Sequence, residues 1–173
     1  GVQDSKAATD GQVQRVEGVL MDRLPHAVRV LAPESYNEAW AEEKNLNRLL
    51  GRLHAEVIDA VIAQTGDEEG RIVVDRFGDP EHVRRNLSDA ARTHPFVMPT
   101  KGERHPAVAA ASFLARAAFL RGMAEAEGLS GGTLSRGASD PRILDVGRRL
   151  QAEVGREWLG RFAKLHFKVT QKL

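Results

Sequence analysis

At 173 residues, 42% hydrophobic and 28% charged, the chain has the makings of one soluble domain with a proper core. It has no cysteine, which excludes disulfides and thiolate metal sites, and its net charge of +1 singles out no partner class. No apolar run approaches the roughly 20 residues that cross a bilayer, and no charged-then-apolar leader opens the chain, so a cytoplasmic protein with no membrane partner is the expectation.

Thr9-Asp10-Gly11 reads as a helix start, because short polar side chains cap free backbone N–H groups. Val13, Val16, Val19 and Leu20 then recur at helical spacing up to Leu24-Pro25. Ala27 to Leu31 alternates like a strand. Pro33-Glu34-Ser35 opens a second helix, and Asn45 to Ala63 a long one, with Leu46, Leu49, Leu50, Leu53, Val57, Val61 and Ile62 as its apolar stripe. Thr65-Gly66-Asp67 ends it.

Next comes Arg71-Ile72-Val73-Val74-Asp75-Arg76-Phe77-Gly78-Asp79, a β-branched run that stops at a carboxylate. Such a run suits a strand covered on both faces, and functional groups of α/β sheets gather where such strands end. After Asp79-Pro80 a short helix is expected to carry Val83, Leu87 and Ala91, followed by a short strand at Phe96-Val97-Met98. Thr100 to His105 is a charged loop. Pro106 then starts a helix to about Glu127, with Val108, Ala111, Ser112, Ala115, Ala118, Phe119 and Met123 expected on its packed side. Gly128 to Ser139 is a glycine-rich loop, and two helical stretches, 141–154 and 155–165, close the chain. Strands alternating with helices imply an α/β fold in a single domain, with only three strands in view.

Asp75 is the sharpest candidate: a metal ligand or general base, or else an acid paired with Arg71, Arg76 or a helix N-terminus. Asp79, before Pro80 and Glu81, has the form of a helix cap, although a cap can still face a site. Glu103 sits among Lys101, Arg104 and His105, either at a phosphate-handling rim or in a solvated loop. His54, His105 and His166 lack zinc-type spacing, and His54 reads as structural. No dinucleotide fingerprint, phosphate loop or Ser-His-Asp pattern is present, so no organic cofactor is expected. The end of the chain carries Lys164, His166, Lys168 and Lys172 with no acid, either a phosphate-binding tract or a solvated tail.

In order along the chain, Asp4-Ser5-Lys6, Thr9-Asp10, Pro33-Glu34-Ser35-Tyr36-Asn37, Asn45-Leu46-Asn47, His54 and Val74-Asp75-Arg76-Phe77 form a series. Thr100-Lys101-Gly102-Glu103, Ala107 to Ser112, Ala115-Arg116, Ser135 to Ser139 and Lys164-Leu165-His166-Phe167-Lys168 continue it. The series resembles bacterial ribonuclease HIII, a type 2 ribonuclease H, over nearly the whole chain. Arg76 stands where that family has glutamine, and nothing here matches the family's Asp-Glu pair on its first strand.

The resemblance implies a ribonuclease H-like sheet flanked by helices, in a catalytic domain that lacks its amino-terminal strands. It implies a metal-dependent endonuclease that cuts the RNA strand of RNA–DNA hybrids with two divalent ions, Mg²⁺ or Mn²⁺. Asp75 and Glu103 would be catalytic, with Asp79 a further candidate ligand. Ser5, Lys6, Lys101, Arg104, Lys164, His166 and Lys168 would contact nucleic acid. The chain alone would be incomplete, needing an amino-terminal segment of the same protein. The alternative is a non-catalytic nucleic-acid-binding or partner-dependent relative without the Asp-Glu pair.

Overall fold

The computed structural model describes residues 8–66, 70–137 and 139–173. Two compact units share them: Gly1–Arg29 with Asn45–Ala118, and Val30–Lys44 with Phe119–Leu173.

In the first unit, α1 (Asp10–Arg23) begins as the sequence indicates. The Thr9 hydroxyl accepts from the Gln12 N–H, and the Gln12 side chain accepts in return from the Thr9 N–H, closing a capping box. Asn45 likewise caps α3 (Leu46–Thr65) by accepting from the Arg48 N–H. The apolar stripe of α3 meets α4 (Glu81–Arg84) and α5 (Asp89–Arg92), where Ala55, Val83, Leu87 and Ala91 form the core with Ile58, Ile62, Ile72, Phe77 and Phe96 around them. Gly51 permits the closest approach of α3 to α4, because a Cβ there would run into the His82 carbonyl. Where one helix is expected from Val83 to Ala91, two form. Ser88 restarts the chain as a cap for α5, its hydroxyl accepting from the Ala91 N–H while Asp59 accepts from both its N–H and its hydroxyl.

β1 (Ile72–Val73) pairs in parallel with β2 (Phe96–Val97), joined through α4 and α5. The ladder runs slightly beyond the strands: the Ile72, Val74 and Arg76 N–H groups donate to the Pro95, Val97 and Pro99 carbonyls. Val74 is buried, while Ile72 and Val73 are only partly covered among the described residues, so the expectation of a strand enclosed on both faces is not met. The strand expected at 27–31 does not form either. Just before it, Gln64 holds His26, accepting from the His26 N–H (3.3 Å) and donating to the His26 carbonyl (2.9 Å). Alternation gives a segment two different faces, but it becomes a strand only beside another strand's free backbone.

α6 (Pro106–Ser130) starts at Pro106 as expected. Its buried residues in the first unit are Ala109, Phe113, Leu114, Ala117 and Ala118, whereas Ala111, Ala115 and Phe119 are exposed, so the packed face is rotated from the expected one. By length and composition α6 could cross a bilayer, contrary to the expectation from the sequence. Arg116 of α6 pairs with Asp10 of α1 at 3.4 Å, and a charge at mid-bilayer costs at least about 2.5 kcal/mol.

In the second unit, α2 (Pro33–Glu43) and α7 (Ile143–Val154) lie with the carboxy-terminal stretch. Leu134, Leu150 and Leu159 are the core, lined by Met123, Val146, Phe162 and Leu173. The expected helix at 155–165 is a 3-10 turn over Arg156–Arg161, entered through Gly155 at φ +81°. Asn37 of α2 fixes the chain beyond that turn: its Nδ2 donates to the Gly160 and Ala163 carbonyls, and its Oδ1 accepts from the Leu165 N–H, each at 2.9 Å.

Candidate active site

The register of β1 decides where its carboxylate goes. With Val74 bonded to Val97 and Arg76 to Pro99, Asp75 stands one residue past the last apolar position, at the mouth of the two-stranded ladder. There it meets the turn that follows β2. The Gly102 N–H donates to Asp75 Oδ1 at 2.7 Å, a short bond of the charge-assisted kind. Lys101 sits at φ +61° and delivers that N–H, and Gly102 is buried against the acid. A Cβ on Gly102 would lie 2.8 Å from Asp75 Cα and 3.1 Å from Oδ1, so only glycine fits without a shift of backbone.

Asp75 is exposed and forms no ion pair to Arg71 or Arg76; of the alternatives to a metal ligand it takes the third, a helix N-terminus, because the Gly102 N–H opens the 3-10 turn Gly102–Arg104. Oδ1 is engaged; Oδ2 has no partner among the described residues. Asp79 stands one residue before Pro80, the N-cap residue of α4, and its Oδ1 accepts from the Glu81 N–H at 3.0 Å. Glu103 is exposed in a 3-10 turn, Gly102–Arg104, directly after the glycine that holds Asp75. His54 is structural: its Nδ1 bonds the Leu50 carbonyl and its ring stacks on Phe77 at 4.8 Å.

Beside the turn lies a cleft of about 380 Å³, lined by Arg71, Lys101, Arg104 and His105 over Val73 and Val97. No acid lines it, so an anionic ligand suits it. Lys101, Arg104 and His105, read together from the sequence, line it together, and the fold adds Arg71. Among the described residues no three His, Asp or Glu side chains converge to hold a metal ion. Asp75 alone is presented at the strand end, and the described residues do not complete a divalent-ion site. Ser5 and Lys6 lie outside the described residues.

In the second unit the candidates gather round α2. His166 stacks on Trp40, centroids 3.6 Å apart and planes at 14°, and stands 5.6 Å from Tyr36. Lys164 places its Nζ 4.3 Å above the Tyr36 ring. Burial pushes the Tyr36 hydroxyl up and the Lys164 ammonium down; burial, then the Lys164 charge, pushes the His166 imidazole down. Lys168 is exposed and outside this stack. Sequence reasoning did not anticipate Tyr36 and Trp40 as the rings that His166 and Lys164 pack against. Their only signal was an aromatic pair at i, i+4 on one helix face.

Comparison with known proteins gives a consistent pattern. A family profile described as Ribonuclease HII matches residues 1–170. Ribonuclease HIII of Bacillus mycoides is 32% identical over 176 residues, covering 99% of this chain and 56% of that protein. A crystal structure of Bst-RNase HIII in complex with Mn²⁺ superposes with a TM-score of 0.86 at 30% identity, over 99% of this chain and 57% of that one. Aquifex aeolicus RNase H3 gives 0.69 at 25% identity, over 96% and 58%. The chain therefore spans a little over half the length of these relatives, and its α/β fold is of the ribonuclease H type.

Proposed function

The chain belongs to the ribonuclease HII family, and from that premise we propose that it forms part of a divalent-metal-dependent endonuclease that cleaves the RNA strand of RNA–DNA hybrids. The observation that carries the proposal is Asp75 at the end of β1, one oxygen held by the Gly102 amide and the other open, beside a cleft whose charged lining is Arg71, Lys101 and Arg104. Mn²⁺ or Mg²⁺, as a pair of ions, is the expected cofactor; Bst-RNase HIII was crystallised with Mn²⁺. Such ions, when bound, supply Lewis-acid charge at a scissile phosphate and a water activated at neutral pH.

In this reading Asp75 holds one ligand position and Glu103 is the second acidic group of the site. The carboxylates that complete it come from polypeptide outside these 173 residues. Lys101 and Arg104, with Arg71, hold the phosphodiester backbone and position it without reading sequence. The lack of a three-donor cluster among the described residues favours one other reading, a binding module without catalysis of its own.

The test uses the whole protein that contains this chain. Asp75→Asn is expected to lower cleavage of a labelled hybrid in Mn²⁺ by at least about 100-fold while hybrid affinity in EDTA changes little, because losing a ligand costs more than the 10–100-fold of an outer-shell change. Near-normal turnover of that variant would remove the ligand assignment. Absence of cleavage in the unaltered whole protein would favour the binding module. Strong cleavage by the 173 residues alone would remove the need for outside carboxylates.

A further inference from the structure

The first unit holds another cavity, of about 330 Å³, away from the turn that carries Asp75. Phe96 lines it, and Phe96 pairs with Ile72 at the start of the ladder, whereas Asp75 lies past the other end. Successive residues of a strand face opposite sides. Phe96 therefore turns to this cavity while Val97 turns to the cleft beside Lys101, and the two are built on different faces of β2.

Arg84, Arg85 and Arg92 line the cavity against one carboxylate, Glu81. A guanidinium only donates hydrogen bonds, so the charged lining calls for an acceptor. Two of the three are already held in place. Arg84 lies 5.1 Å over the Phe96 ring, reaches the Phe96 carbonyl at 3.5 Å and meets Glu81 at 3.4 Å. Arg92 donates to the Arg85 carbonyl at 3.1 Å and stands 3.7 Å from Asp89. Both carboxylates are exposed, so these pairs give up little when a ligand competes for the arginines. The Arg85 guanidinium is exposed and has no partner among the described residues. The floor is apolar, made by buried Leu87 and half-buried Phe96.

That combination selects among anions. Arg84 already lies on the Phe96 ring, where a nucleobase would stack, and a phosphodiester has no group to fill the space over Leu87. The guanidiniums share one cavity, which suits carboxylates flanking a single apolar side chain. We propose that this cavity docks an acidic segment of a partner protein, with an apolar side chain over Leu87 and Phe96 and its neighbouring carboxylates on Arg84, Arg85 and Arg92. The site stands apart from cleavage and does not rest on the reading of Asp75.

The experiment uses the whole protein that contains this chain and a fluorescent synthetic peptide of aspartates and glutamates around one phenylalanine. Anisotropy is expected to show saturable binding that weakens as salt rises. Arg85→Glu is expected to weaken it at least about tenfold, the scale of one lost hydrogen bond between charged groups, with melting and hybrid cleavage unchanged. Arg85→Gln repeats the measurement without a new charge. Changing the peptide's phenylalanine to serine is expected to weaken binding about tenfold, and so is changing its acids to amides. No saturable binding, or binding untouched by both Arg85 variants, overturns the proposal. A peptide that binds equally well without its phenylalanine overturns it in favour of a general anion site. Displacement of the peptide by single-stranded RNA, with RNA affinity lost in Arg85→Glu, overturns it in favour of a nucleic-acid contact. Asp75→Asn is expected to bind the peptide as the unaltered protein does, so failure of one reading is distinguishable from failure of the other.

Discussion

The Gly102 N–H and Asp75 Oδ1 lie 2.7 Å apart across 27 residues of chain, and no side chain larger than hydrogen fits on Gly102 at that approach. The bond ties the turn after β2 to the end of β1, so the direction of the carboxylate depends on two segments at once. Gly102→Ala is expected to lower melting by a few degrees, matching an overpacking cost of about 1–3 kcal/mol. In the whole protein it should also lower hybrid cleavage about 10- to 100-fold with little change in hybrid affinity. Calorimetry and a cleavage-against-binding comparison check both parts; an unchanged cleavage rate would show that the bond does not position the acid for chemistry.

Asp79 and Glu103 should separate cleanly. Asp79→Ala removes the acceptor for the Glu81 N–H and is expected to cost about 1 kcal/mol of stability, with cleavage by the whole protein preserved. Glu103→Gln, in an exposed turn, should leave melting unchanged while cleavage falls. The reverse pattern would exchange their assignments.

Asn37→Ala strips three backbone groups of their partners in one step, at an expected cost of about 2–4 kcal/mol. Hydrogen exchange at the Leu165 amide should speed up well before that in α3. Equal acceleration in both places would mean global unfolding rather than release of this segment.

His166 gives the fold a pH dependence of definite sign. Its folded pKa lies below the ordinary 6.5, pushed down by burial and by Lys164, so the unfolded chain binds the extra proton first as pH falls. Its contribution is complete above 6.5 and is lost as pH drops through the lower folded value. Melting measured from pH 7.5 to 5 should fall, and His166→Gln should flatten that part of the profile. A slope unaffected by the substitution would place its origin elsewhere.

Much of this was legible in the sequence where the cause is local. Thr9, Asn45 and Pro106 mark helix starts by chemistry that operates within one turn, and the structure puts α1, α3 and α6 there. Asp75 stood out because a β-branched run ended on it. Its partner did not stand out, because the Gly102 bond is a matter of register between two strands. Ala27 to Leu31 alternated well but found no strand to pair with. The buried face of α6 differs from the expected one because its alanines run round most of the helix and mark no single side. The Tyr36, Lys164 and His166 stack was invisible for a different reason: its members lie about 130 residues apart, and nothing near Tyr36 announces the encounter.

The reach of Asn37 sets an order on how the chain can be made. Its three partners come 123, 126 and 128 residues after it. On a ribosome, α3, both strands and α4 to α5 are all delivered before any of those carbonyls and amides exist. α2 therefore waits through most of synthesis without its packing, and the second unit closes only when its last stretch emerges. A stop codon at position 160 would leave the Asp75 turn in the chain while removing all three backbone groups that Asn37 holds.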